Sequence, residues 1–240
     1  KEYADAVIMH YYGGCEGGTA LANLLSGKVN FSGKLPFTVA QKESDYPEFK
    51  YIGQHPYTID YGYYHGYTKL DKEGKAAAYP FGYGLSYTTF AYSGLKTDGK
   101  QVTFTLQNTG EADGAEVAQV YVSCKSNTLY RPRKELKGFA KVFLKAGESR
   151  EVTVTLDDKA FRYFDIATGT FEIEGGEYEI SVAASAADVK LTATVQVDGT
   201  AVPPLQALPS YKTAAVADVG DDEFAALLGR PLPDSHWTGD

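Results

Sequence analysis

Four glycines in a six-residue turn, Gly13-Gly14-Cys15-Glu16-Gly17-Gly18, are the first place in this sequence to look for chemistry. Glycine-rich turns ahead of a helix cradle phosphates on backbone N–H groups. Here no Lys-Ser/Thr pair follows the last glycine, the Rossmann spacing is not met, and Glu16 would repel a phosphate. The turn therefore reads as a tight strand-to-helix connection, with Glu16 expected to bind backbone amides of its own turn. His55 and His65 show no metal-ligand spacing and read as loop histidines. Of the two, His65 is the better pocket candidate because tyrosines crowd it. Glu172, Glu174, Glu177 and Glu179 are a carboxylate cluster, and paired carboxylates perform glycosidic chemistry. They alternate with Phe171, Ile173, Tyr178 and Ile180, which predicts a solvated face of a sheet. Arg131, Arg133, Lys134 and Lys137 fall in a stretch, 130–139, that reads as a loop, and a domain–domain salt bridge is the expectation for them. No Ser/His/Asp order, metal set or cofactor motif can be assembled.

The elements that would position these groups follow from composition and pattern. The chain has 240 residues, 43% hydrophobic and 22% charged, which fits a globular protein of one or two domains. Its 23 basic and 31 acidic residues leave a net charge of −8. That balance argues against nucleic acid and anionic lipid as partners. The apolar runs are too short to span a bilayer, and no signal-peptide pattern opens the chain. Cys15 and Cys124 form no framework, which favours a reducing compartment. Glycine is high at 25, and 19 tyrosines are present, eleven of them between Tyr46 and Tyr92. Strand structure explains most tyrosines; sugar-binding aromatic faces are the other reading.

Residues 5–12, with Ala6, Val7, Ile8 and Met9, predict a fully buried strand of the parallel kind. Residues 19–26 carry apolar side chains at helical spacing, with Gly27 at the C′ position. Residues 31–38 predict a turn into another short strand. Residues 40–80 lack periodicity and read as a long loop; residues 79–90 read as a turn leading to a strand. Beyond 90 the pattern alternates at 101–106, 116–123, 151–156, 177–183 and 190–197, with turn residues between. That describes a β-sandwich of immunoglobulin type without the inter-sheet cysteine pair, hence nearer a fibronectin topology. Pro203 and Pro204 mark a linker. A helical piece at 223–228 follows, stopped by Gly229, Pro231 and Pro233. Both ends of the chain read as cuts.

The ordered motifs bring a family into view. Gly13 to Ala20, then Leu24-Leu25-Ser26-Gly27-Lys28-Val29-Asn30-Phe31-Ser32-Gly33-Lys34-Leu35-Pro36, resembles glycoside hydrolase family 3, with Phe31 where proline is usual. Tyr79-Pro80-Phe81-Gly82-Tyr83-Gly84-Leu85-Ser86-Tyr87-Thr88 resembles the family's junction segment. Arg133 to Phe139 resembles its fibronectin-like domain, and Phe224 to Pro231 a tail of some bacterial β-glucosidase-type members.

The resemblance implies an α+β multidomain fragment: the end of an α/β sandwich domain (1–90), a fibronectin type III-like β-sandwich (91–199), and a linker with a short helical tail (200–240). It implies the C-terminal portion of a retaining glycosidase that releases β-linked glucose or a related sugar from the non-reducing end. The nucleophile Asp and the acid/base Glu are expected outside this segment, so the segment alone is expected to be inactive. Gln54-His55-Pro56-Tyr57 is not a match for the acid/base neighbourhood, because it offers Gln and lies on the wrong side of the Gly-Lys-Leu-Pro motif. The loop at 51–67 would border the aglycone side, with Tyr57, Tyr61, Tyr63, Tyr64 and His65 as substrate-binding candidates. The expected partners are a carbohydrate and the remaining part of the same enzyme, with no cofactor; the compartment is left open, with cysteine usage favouring a reducing one such as the bacterial cytoplasm. The alternative is a non-catalytic carbohydrate-binding or interaction module. The half α/β unit at the start favours the enzyme, since a binding module has no use for one.

Overall fold

The computed structural model describes residues 4–47, 49–52, 55–59, 62–126, 129–165, 168–201, 209 and 219–232. Their centre of mass in folding terms is the sandwich. One sheet has the order β11-β10-β5-β6, formed by β5 (Gly114–Cys124), β6 (Glu135–Leu144), β10 (Gly176–Ser185) and β11 (Asp188–Val197). The other has the order β3-β4-β7, formed by β3 (Phe90–Thr97), β4 (Gln101–Asn108) and β7 (Ser149–Thr155). Every pairing in them is antiparallel. A hairpin of β8 (Arg162–Asp165) and β9 (Thr170–Ile173) is added outside the two sheets. The alternation in the sequence is the cause: Val102, Phe104 and Leu106 of β4 point inward and meet Val152 and Val154 of β7, Val120 and Val122 of β5, and Ile180 and Val182 of β10. Burying each such side chain stabilises by about 1.5–3 kcal/mol.

Asn108, fully buried at the end of β4, shows how a polar group is kept inside. Its Oδ1 accepts from Thr88 Oγ1 at 2.5 Å and from Gly110 N at 3.1 Å, and its Nδ2 donates to the carbonyls of Ala112 and Leu144. All its hydrogen-bonding capacity is used, which removes the cost of burial.

The first region is built differently. Helix α1 (Gly17–Leu25) follows the glycine turn, and Gly27 ends it with φ 74°. The turn is as tight as expected: a Cβ on Gly13 would stand 2.4 Å from His10 Cε1 and 2.8 Å from Gly17 Cα. Glu16, however, makes no side-chain hydrogen bond to the helix it precedes. Residues 5–12 are also not a strand. They have no regular structure and no ladder partner among the described residues, Tyr11 has a φ of 54°, and Val7, Ile8 and Met9 are 64%, 41% and 52% exposed. Apolar pattern alone cannot make a strand; it needs at least one neighbouring strand to pair with and a surface to pack against. Residues 31–38 likewise form no strand. Leu35 and Val39 instead exchange backbone hydrogen bonds with Tyr83, Gly82 and Tyr79 of the junction segment.

The stretch 40–80 is more ordered than its lack of periodicity predicts. It holds a 3-10 turn (Glu43–Asp45), a hairpin of β1 (Phe49–Ile52) with β2 (His55–Ile59), and helix α2 (Gly66–Glu73), closed by Gly74 at φ 66°. The expected loop at 130–139 is a loop only at its start, because β6 begins at Glu135. After the sandwich, α3 (Asp221–Leu228) carries Asp221, Asp222 and Glu223 in its first turn and ends on Gly229 at φ 65°. Acidic residues there complement the helix dipole. Among the described residues no helix is long and apolar enough to cross a membrane.

The outer face of β5 and β10 is where the two regions join. Tyr121, Ala183 and Ala186 are buried there against Tyr67, Phe81 and Leu136. Gln119 Nε2 donates to the carbonyls of Gly82 (3.1 Å) and Ala184 (2.9 Å), while Tyr121 Oη donates to Gln119 Oε1 at 2.7 Å. Gly82, at φ 77°, lies so close to Gln119 that a Cβ would stand 2.1 Å from Oε1. Lys34 Nζ pairs with Glu116 at 2.8 Å, both side chains nearly buried, and also donates to the Gly84 carbonyl. Asn30 accepts from Ser86 Oγ and Tyr87 N and donates to the Asp113 carbonyl.

Candidate functional site

Three of the five aromatic-loop candidates are brought to one place. Tyr63 and Tyr64 precede α2, and His65 is its N-cap. The His65 N–H donates to Thr68 Oγ1, and the Thr68 hydroxyl is also within bonding distance of the His65 carbonyl, which fixes the start of the helix. The helix itself follows from Tyr67 and Leu70, three apart on one face, with Leu70 buried and Gly74 in the left-handed stop position. Tyr57 lies on β2, and Tyr61 lies outside the described residues.

The three candidates do different work. Tyr64 is half-buried and its hydroxyl donates to the Arg131 carbonyl at 2.9 Å. Its ring meets Tyr63 edge-on at 5.1 Å and Tyr130 edge-on at 4.9 Å, and Lys72 Nζ sits over it at 4.6 Å. With its hydroxyl bonded, an ammonium over its ring and two rings packed on it, Tyr64 serves the fold. Tyr63 is 59% exposed and is braced from behind by Tyr64 and by Tyr130, the latter tilted 38° at 5.9 Å. It is the ring free to stack on a ligand. His65 is exposed beside it, its Nδ1 3.4 Å from the Gly62 carbonyl. Burial, followed by the nearby Glu135 charge, pushes the Tyr63 hydroxyl up, and burial does the same to Tyr64 and Tyr67. All three are neutral hydrogen-bonding groups at any ordinary pH.

Sequence reasoning did not bring Tyr130, Arg131 and Lys72 to this cluster. They come from the sandwich loop and from α2, and only α2, if recognised, would have placed Lys72. The basic run does what was expected of part of it: Lys134 Nζ pairs with Asp71 of α2 at 2.6 Å, a salt bridge between regions. Arg131 instead reaches into the end of the sandwich, 3.3 Å from Glu174 Oε2 and from Tyr178 Oη, with its guanidinium 5.0 Å from the Tyr163 ring centre. Lys137 pairs with Glu135.

That geometry corrects the reading of the carboxylate cluster. Glu174 is not on a solvated face: it is largely buried, bonded to Ser126 Oγ, approached by Cys124 Sγ at 3.6 Å, and paired with Arg131. Phe171 is exposed rather than turned to the core, edge-on to Phe164 at 5.4 Å. The short hairpin β8–β9 stands outside the sandwich sheets, so alternation there does not point to the core. Glu179 does lie at the surface, paired with Lys125 at 2.9 Å.

A shallow cavity of about 470 Å³ opens between α1 and the sandwich, lined by residues that include Leu25, Lys28, Asn30, Tyr87 and Asp113. Three of its lining residues spend polar groups on the fold: Tyr87 Oη donates to the Leu24 carbonyl, Asp113 Oδ1 accepts from Ala146 N, and both ends of the Asn30 amide are used. Among the described residues no group of three or more His, Cys, Asp or Glu could hold a metal ion.

Residues 1–87 match the glycosyl hydrolase family 3 C-terminal domain, and residues 116–186 match the fibronectin type III-like domain. The chain belongs to glycoside hydrolase family 3, of which it carries a C-terminal portion. It is 41% identical over 204 residues to an exo-α-(1→6)-L-arabinopyranosidase of Bifidobacterium longum, covering 82% of this chain and 27% of that protein. It is 36% identical over 237 residues to the thermostable β-glucosidase B of Acetivibrio thermocellus, covering 95% of this chain and 31% of that protein. Among solved structures, a family 3 β-glucosidase of Bifidobacterium adolescentis superposes with a TM-score of 0.71 at 39% identity, over 87% of this chain and 31% of that one. The chain therefore spans under a third of the length of these family 3 relatives.

Proposed function

We propose that this chain is the supporting part of a retaining glycoside hydrolase that releases β-linked glucose or a related sugar from the non-reducing end of glycosides. The catalytic carboxylates, which retaining chemistry needs about 5–5.5 Å apart, are supplied by a part of the enzyme outside these 240 residues. The observation that carries this reading is the pairing of a family 3 C-terminal domain match with exposed apolar residues in that same region. Val7, Ile8, Met9, Tyr11, Leu25, Val29 and Phe37 stand in water in the region that matches the family's C-terminal domain. The relatives have more than two thirds of their length outside the match, and a partner of that size covers such a surface. The parts of the chain are read as 1–90, 91–199 and 200–240.

The loop that includes Tyr57, Tyr61, Tyr63, Tyr64 and His65 is proposed to border the aglycone side of the sugar site. Tyr63 offers the stacking face, His65 a polar group beside it, and Tyr64 holds the loop. Supporting this is the exposed Tyr63 ring on a braced base, an arrangement that loses little conformational entropy on binding.

The test is to co-express the chain with the catalytic part of the enzyme and to assay hydrolysis of aryl β-glucosides, with each part alone as control. Activity in the mixture only is expected. Activity of this chain by itself, or inactivity of the mixture with retained glucan binding, would overturn the reading; the latter outcome is that of a binding module.

A further inference from the structure

Arg131 has an unusual double attachment. Its side chain is held at the end of the sandwich by Glu174, Tyr178 and the Tyr163 ring, and only 12% of it is exposed. Its backbone carbonyl faces the other way and takes the Tyr64 hydroxyl. Its neighbour Tyr130 packs against both Tyr63 and Tyr64. Glu174 is itself fixed, by Ser126 Oγ and by its own carbonyl accepting from Tyr178 Oη at 2.8 Å. The route from the sandwich to the exposed Tyr63 ring is thus two contacts long: Arg131 side chain to segment 130–131, and that segment to the rings of Tyr63 and Tyr64.

The other ties between α2 and the sandwich take a separate path. Lys134 pairs with Asp71, and the Leu136 N–H donates to Tyr67 Oη at 3.1 Å. These dock the helix but do not touch Tyr63. Lys72 of α2 is the one shared tie, its ammonium over the rings of Tyr64 and Tyr130; the hydrogen bonds and ion pairs that hold the loop and the helix otherwise come from different groups.

We propose that the fibronectin-like sandwich sets the pose of Tyr63 through Arg131, so that Arg131 is a positioning residue for aglycone binding. The inference rests on the reading of the Tyr63 loop as sugar-facing. A planar guanidinium that pairs with a carboxylate, bonds a phenol and stacks on a ring has no equivalent in another side chain. Its loss frees segment 130–131 to move, and Tyr130 with it. Binding energy that depends on a prearranged ring is then lost to ordering, and the chemistry, carried elsewhere, is untouched. The signature is a rise in KM without a matching fall in kcat.

The experiment uses the chain assembled with its catalytic part and measures kcat and KM on an aryl β-glucoside. Tyr63→Ala, Arg131→Met and the double variant are compared, with Lys134→Met as the docking control. Tyr63→Ala is expected to raise KM several-fold with kcat within twofold, and Arg131→Met to do the same. The double variant is expected to be no worse than Tyr63→Ala alone, because both remove one interaction. Lys134→Met is expected to leave KM unchanged. Should Arg131→Met fail to fold, Tyr130→Ala removes the brace from the surface side and carries the same expectation. An altered Tyr63→Ala with an unaltered Arg131→Met (or Tyr130→Ala), or effects that multiply in the double variant, would overturn the positioning role alone. An unaltered Tyr63→Ala would overturn the sugar-facing reading and the inference with it.

Discussion

The two regions of this chain handle apolar residues in opposite ways. Between Val102 and Val182 the inward-facing side chains of the sandwich are nearly all closed to water. Before residue 90, Leu70 is the one hydrophobic side chain among those described that is buried to the same degree, while Val7, Ile8, Met9 and Tyr12 stand open. Both regions have the residues to build a core; only one has the partners. The sandwich closes on itself, whereas the first region leans on the sandwich's outer face through Tyr67, Phe81, Gln119 and Lys34 and leaves its other side uncovered. The difference teaches that a self-contained unit and a dependent one can have a similar share of apolar residues.

The strongest way to break this contrast is to truncate one residue in each region of the chain alone. Ile180→Ala, in the sandwich core, is expected to cost about 2–5 kcal/mol by urea unfolding. Ile8→Ala is expected to cost less than about 0.5 kcal/mol, as an exposed substitution does. Equal costs would show that the first region has a core of its own.

The contrast is sharpened at the seam. Lys34→Met leaves Glu116 charged and nearly buried, and breaking such a pair costs about 3–5 kcal/mol. The expected readout is loss of the first region's docking before the sandwich melts, visible as a second unfolding transition. Co-replacement with Glu116→Gln is expected to recover part of the loss. A smaller effect is expected in acid. The Lys75 ammonium, by hydrogen bond and charge, holds Asp45 below the usual carboxylate range, and Lys69 and Lys75 do the same for Glu73. Depressed carboxyl groups stabilise the fold above their unfolded values of about 4 and lose that contribution as pH falls through the folded ones. Limited proteolysis near residues 43–75 is expected to quicken below about pH 4, and Asp45→Asn to remove part of that dependence. A rate flat across that window would contradict the link.

Legibility in the sequence followed the same division. Strand alternation at 101–106, 116–123, 151–156, 177–183 and 190–197 matches β4, β5, β7, β10 and β11, because each of those strands has a core face supplied by its own chain. β6 escaped because Arg131 to Lys137 looks like a loop, yet Lys137, paired with Glu135, and the exposed Lys141 both lie along its strand. The run at 5–12 has the pattern of a strand but finds no ladder partner among the described residues. At the candidate site, Tyr63, Tyr64 and His65 were visible as a tyrosine-rich loop. Their division of labour was not, because it depends on Tyr130 and Arg131 arriving from nearly seventy residues away.

The most direct measurement is hydrogen exchange of the backbone amides of residues 6–25, in the chain alone and in the chain assembled with its catalytic part. The expected result is rapid exchange alone and strong protection on assembly, with β5 and β10 protected throughout. Equal exchange in both states would contradict the account that the first region is completed by the rest of the enzyme.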